Sequence, residues 1–211
     1  MKKTAMAVFT LLICSTFSIV FAQSNDTIEI HAPWQEKKDK TIRFVIVNNA
    51  DLSEEKISII KKVIESKEYY MEDDRVFFEG WTGALQFIDS TNTKFDIIVS
   101  EKMIMGDIVL ELTEQKNPSH NGWTTPHYEE DHIAMVNIEI FDANNIPTIQ
   151  LENLVRHEIG HALGLAHASS DDDLMHEEIG SEHKFISDCD LEGLKFLNNG
   201  YRLTDIDCSF V

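Results

Sequence analysis

The amino-acid sequence predicts an α+β fold, and three observations carry that expectation. The chain has 211 residues, 43% hydrophobic and 26% charged, which suits one domain with a sizeable core rather than a disordered chain. The stretch "TIRFVIVNN" (Thr41–Asn49) is β-branched, apolar and closed by two asparagines, the pattern of a buried strand. "TIQLENLVRHEIGHALGL" (Thr148–Leu165) instead spaces Ile149, Leu151, Leu154, Val155, Ile159 and Ala162 as a helix does.

The elements follow in chain order. "MKK" ahead of the apolar run "TAMAVFTLLICSTFSIVF", with "VFA" before Gln23, reads as an export leader over residues 1–22. The alternative is an uncleaved anchor, because the run nears the ~20 residues that span a bilayer. Polar "QSNDT" directly after the cleavage site favours removal, and Ile13 before Cys14 argues against lipid attachment. Residues 23–40 are polar and read as an N-terminal arm, leaving 41–211 as the folded domain. After the first strand, Ile57, Ile60 and Ile64 share a helical face, with Asp51 or Ser53 available as N-cap. "ALQFID" (Ala84–Asp89), "KFDIIVSE" (Lys94–Glu101) and "AMVNIEIF" (Ala134–Phe141) read as further strands. Pro147 suits the start of the 148–165 helix and Gly164 its stop. In "SDCDLEGLKFL", Ser187 and Asp190 open a last helix in capping-box fashion.

The formal net charge is -19. Loss of Lys2 and Lys3 with the leader takes Lys+Arg from 18 to 16 against 37 Asp+Glu, a balance of -21. A chain this acidic repels nucleic acid and anionic lipid, so neither is an expected partner once the leader is gone. Cys189 and Cys208 remain, an even count that suggests one disulfide between the last helix and the tail. Two free thiols are the alternative in a reducing compartment.

The chemistry concentrates in "RHEIGHALGLAHASSDDDLMH" (Arg156–His176), which holds four of the nine histidines. On a helix, His157 and His161 project from one face, one turn apart, and both can reach a Zn²⁺ at about 2.0–2.1 Å. Glu158 lies on the flank of that face, placed to hold a proton taken from water. A helix continued to residue 167 would carry that imidazole away. Gly164 can take a positive φ, so the chain can turn and bring His167 back as a third ligand. Three protein ligands leave a fourth position open, the mark of a catalytic rather than a closed structural site. "SSDDD" (Ser169–Asp173) is oxygen-rich enough for Ca²⁺ but lacks the glycine-punctuated spacing of a calcium loop. His120, His127, His132 and His183 show no ligand spacing and read as surface residues.

His157-Glu158-two-His161-two-Gly164-two-His167, followed after eight residues by Met175 in "LM", resembles the metzincin zinc endopeptidases and, within them, the matrixins. "ISDCDLEGLKFL" is similar to the matrixin C-terminal helix. The resemblance implies a zincin-like fold: a mixed twisted sheet of about five strands, an active-site helix and a C-terminal helix. It implies one catalytic zinc on His157, His161 and His167, Glu158 as general base, and Met175 as an apolar floor. It further implies a zinc metalloendopeptidase acting on protein or peptide, and an edge strand near "NGWTTPHYEE" (Asn121–Glu130) that pairs with the substrate. The leader adds the expectation that the enzyme is secreted, and a monomer is expected. The alternative from another class is a zinc-binding degenerate peptidase domain that serves as a protein-binding module. This chain departs from the family after the Met-turn, where His176-Glu177 replaces the usual Tyr-Pro. It also has no cysteine between Cys14 and Cys189, so a propeptide cysteine latch on zinc is not expected.

Overall fold

The computed structural model describes residues 26–35, 41–88 and 93–208; the leader lies outside them. Ten strands and four helices are present among the described residues. They are β1 (Thr27–Ile30), β2 (Thr41–Asn48), α1 (Glu54–Glu65), β3 (Tyr69–Glu72), β4 (Arg75–Phe78), α2 (Trp81–Ile88), β5 (Lys94–Ser100) and β6 (Ile108–Leu112). There follow β7 (Gly122–Glu129), β8 (His132–Ile140), α3 (Thr148–Ala162), β9 (Leu165–Ala168), α4 (Asp188–Asn198) and β10 (Thr204–Asp207).

The main sheet has five strands in the order β5-β2-β6-β8-β7, parallel except for β7, which runs antiparallel at one edge. This is the mixed sheet the sequence implied. β2 is flanked by parallel neighbours and buries Phe44, Val45, Ile46 and Val47 completely, which explains its unbroken apolar run. Phe44 and Ile46 join Ile108, Leu110, Leu112, Ile138 and Ile140 in the core, together with Ile57, Ile60 and Ile64 of α1 and Leu151, Val155 and Ile159 of α3. Ser53, not Asp51, caps α1 by accepting from the Lys56 amide at 3.3 Å. Ser187 and Asp190 form the capping box that opens α4. Among the described residues no helix is long and apolar enough to cross a membrane.

Two sequence expectations are corrected. The apolar run at Ala84–Asp89 is not a strand, because Ala84–Ile88 belong to helix α2. A short apolar run does not distinguish a strand from a buried helix, and here tertiary bonds decide. The Trp81 indole donates to the Arg156 carbonyl at 3.0 Å, and the Thr82 hydroxyl donates to the Ile64 carbonyl at 2.7 Å. The polar arm, too, is part of the fold over its described residues. β1 is the central strand of a second sheet, β10-β1-β9, and buries Ile28 and Ile30 completely. The disulfide Cys189–Cys208 joins α4 to the end of this sheet, as the cysteine count suggested.

Candidate metal centre

His157 and His161 stand one turn apart near the C-terminal end of α3, their ring centroids 4.5 Å apart. His167 stands on β9, with its ring 5.6 Å from that of His157 and 4.9 Å from that of His161. One nitrogen from each imidazole lies within 4.8 Å of the other two. The structure thus gathers all three sequence-predicted ligands.

The turn between them is built as the glycine suggested. Gly164 sits at φ +103°, and its amide donates to the His161 carbonyl at 3.0 Å. A Cβ at this position would run into the Ala32 backbone carbonyl. The N-terminal segment then holds the returning chain. The His31 amide donates to the Gly164 carbonyl at 2.8 Å, the Ser169 amide to the Thr27 carbonyl at 2.8 Å, and the Trp34 indole to the Ala162 carbonyl at 2.8 Å.

Backbone carbonyls set the tautomers of the two helical histidines. Nδ1–H of His157 donates to the Leu174 carbonyl at 2.8 Å, and Nδ1–H of His161 donates to the Leu165 carbonyl at 2.9 Å. Each Nε2 therefore keeps its lone pair for a metal. Burial pulls His157 down to about 4 and His161 to about 3, and it lowers His167 as well, so all three stay in the neutral, ligating form. Three neutral imidazole donors whose nitrogens converge within 4.8 Å fit a zinc ion.

Glu158 is buried beneath edge strand β7. The Thr124 hydroxyl donates to its Oε2 at 2.6 Å and also lies 3.2 Å from its backbone carbonyl. Burial pushes the carboxyl up to about 7, against the opposing pull of that hydroxyl. A carboxyl balanced near neutrality can both accept and return a proton.

Met175 is fully buried, with its thioether against Gly160 between the two helical ligands. Its amide donates to Asp173 Oδ1 at 3.2 Å and its carbonyl accepts from the Ala168 amide at 2.9 Å. Asp173 therefore points inward, where its Oδ2 accepts from the Ser187 hydroxyl at 3.1 Å, rather than joining a calcium loop. Calcium at Ser169–Asp173 gains no support: among the described residues no group of three His, Cys, Asp or Glu side chains converges there.

Past the Met-turn, the sequence reading missed how the chain is anchored. Arg156 is fully buried and donates to the Glu79 carbonyl at 3.0 Å, the Lys184 carbonyl at 2.6 Å and the Glu152 carboxylate at 2.7 Å. Asn153 donates to the Glu182 carbonyl and accepts from the Lys184 amide at 3.0 Å. An arginine and an asparagine among the apolar positions of the helix were the available signal. His183 is half-buried rather than on the surface, and it groups with Glu79 and Glu152. Lys62 and Arg156 already neutralise those two carboxylates, so the group is a mixed ion network. His120 and His127 are exposed, as expected, and His132 is half-buried. Trp123 is also exposed, with its ring 4.7 Å from that of His120.

The matrixin family matches residues 33–199, far more than half of the chain. The chain belongs to the matrixin family. Matrixins are zinc metalloproteases of the metzincin kind, and the His157, His161 and His167 triad of this matrixin has the donor set that zinc requires. The protein is also similar to a solved structure described as metalloproteinase-II from Bacteroides fragilis, with 15% identity and a TM-score of 0.44. That match covers 74% of this chain and 52% of the other, so the matrixin chain spans about half of that protein's length. No curated protein matches it.

Proposed function

We propose that this matrixin is an exported zinc endopeptidase that hydrolyses peptide bonds with Glu158 as general base and acid. The observation that carries this reading is the convergence of His157, His161 and His167 beside a buried Glu158. Nε2 of His157 and His161 and one ring nitrogen of His167 would hold the ion. Zinc bound there supplies a Lewis acid that polarises the scissile carbonyl and acidifies water. Glu158 takes a proton from the attacking water and delivers it to the leaving amine nitrogen. Burial of Glu158 under β7 shields the proton from bulk water. Among the described residues no strand pairs with the outer edge of β7, which is available to pair with an extended substrate backbone. The leader over 1–22 directs export, and the acidic surface keeps nucleic acid away.

Glu158→Gln tests the assignment. The variant is expected to bind zinc as the parent does and to lose casein cleavage by at least about 10²-fold. Equal cleavage by parent and variant would overturn the role of Glu158. Zinc binding without any cleavage by the parent, over a range of protein substrates, would favour a protein-binding module instead.

A further inference from the structure

Edge strand β7 does more than border the main sheet. Its residues alternate: Gly122 and Thr124 turn towards α3, while Trp123 and Thr125 are exposed. The two inward positions both meet Glu158. Thr124 grips Oε2 through its hydroxyl. Gly122 lies against Oε1, where a Cβ would collide with that oxygen and stand 2.9 Å from both Glu158 Cδ and Leu154 Cδ1. No hydrogen bond from the described residues reaches Oε1. One oxygen is thus tied, and the other carries no hydrogen bond from the described residues and occupies space that a Cβ at Gly122 would invade.

We propose that Thr124 is a positioning residue for Glu158, holding Oε2 so that Oε1 is the oxygen that accepts the proton from water and passes it on. This rests on the reading of Glu158 as the general base. A hydroxyl donor fixes the last torsion of the carboxylate, which is otherwise broad and roughly two-fold. Gly122 then makes room for the untied oxygen. The base is oriented by the strand whose outer edge is open to substrate, so base and substrate are placed from one element. A misplacement of about 1 Å at such a group costs on the order of 10²-fold in rate.

The test compares Thr124→Val, which keeps the shape and removes the hydroxyl, with Thr124→Ser, which restores it. Zinc-loaded protein is assayed on an internally quenched peptide for kcat and KM, and zinc affinity is measured by competition with a chromogenic chelator. Thr124→Val is expected to lower kcat by about 10- to 100-fold, with KM and zinc affinity unchanged. Thr124→Ser is expected to recover most of that loss. A parental kcat in Thr124→Val, or an equal loss in Thr124→Ser, overturns the proposal, as does a change confined to KM. If Thr124→Val does not fold, Thr124→Ala against Thr124→Ser decides on the same terms. In the metal-free protein, the melting shifts of Thr124→Val and Glu158→Ala should be non-additive, because each removes the same bond. Strict additivity overturns the contact. Glu158→Gln separates the two levels: parental cleavage by that variant overturns the base assignment, whereas an inactive Glu158→Gln beside a fully active Thr124→Val overturns the positioning role alone.

Discussion

His157 and His161 are held differently from His167. The helical pair is spaced by the register of α3, and each imidazole of that pair has a backbone carbonyl on its second nitrogen. His167 is exposed and sits on a four-residue strand whose place depends on distant partners. Thr27 and Ser169, which bond at the end of that pairing, lie 142 positions apart in the chain. Two ligands are therefore set by local geometry, and the third by non-local pairing through β1. The strand-borne ligand is the site's weaker side.

The sharpest way to break that comparison is Gly164→Ala. A positive φ in a residue with a Cβ, together with the collision against the Ala32 carbonyl, should cost roughly 2–6 kcal/mol. A large fall in melting temperature and in zinc stoichiometry is expected. Parental zinc binding would show that His167 does not depend on this turn.

Cys208→Ser comes next. It opens the disulfide that ties β10, and through it β1 and β9, to α4. A loss of about 3 kcal/mol is expected from the sequence separation of 19, read as a lower melting temperature. Zinc affinity should fall with it, because the sheet that carries His167 loosens. An unchanged affinity would detach the second sheet from the metal centre.

A smaller effect is expected from Asp173→Asn, in the turn that leads into Met175. Burial, and next the neighbouring Asp173 carboxylate, hold Asp190 well above the usual carboxylate range, and its Oδ1 is buried without a hydrogen bond. The native protein keeps a proton on Asp190 that the unfolded chain releases. Its stabilising contribution is therefore complete below the ordinary carboxylate range and is lost as pH rises through the native value. Removing the Asp173 charge should make that decline shallower, which melting curves recorded from the acidic to the mildly alkaline range would register. Parallel curves for parent and variant would refute the carboxyl coupling.

Ser53→Ala is the control. Loss of the α1 cap should cost about 1 kcal/mol and leave zinc affinity untouched, since α1 lies in the locally built part of the fold. A matching loss of zinc would erase the distinction between the two regions.

Much of the first half of this contrast was readable residue by residue. The helical spacing of Leu151, Leu154, Val155 and Ile159 predicts α3 within a few residues, and Ser187 with Asp190 predicts the start of α4. Short, weakly patterned elements were not readable. β3 is exposed throughout and β4 is only four residues long, too short for its alternation to stand out, and β1 hides two buried isoleucines in a polar arm. The run at 84–88 was apolar enough to suit either strand or helix, and only the bonds made by Trp81 and Thr82 decide it.

By itself the sequence determined the helix, the three histidines, the acid beside the first of them and the glycine that must turn the chain. These depend on spacing within twenty residues, where helical geometry leaves few choices. Only the tertiary structure decided that β1 supports His167, that Arg156 anchors the chain beyond the Met-turn, and that Thr124 and Gly122 frame the Glu158 carboxylate. Those contacts join residues tens to more than a hundred positions apart. Their register is set by how sheet and helix pack, which the local pattern of a single segment does not encode.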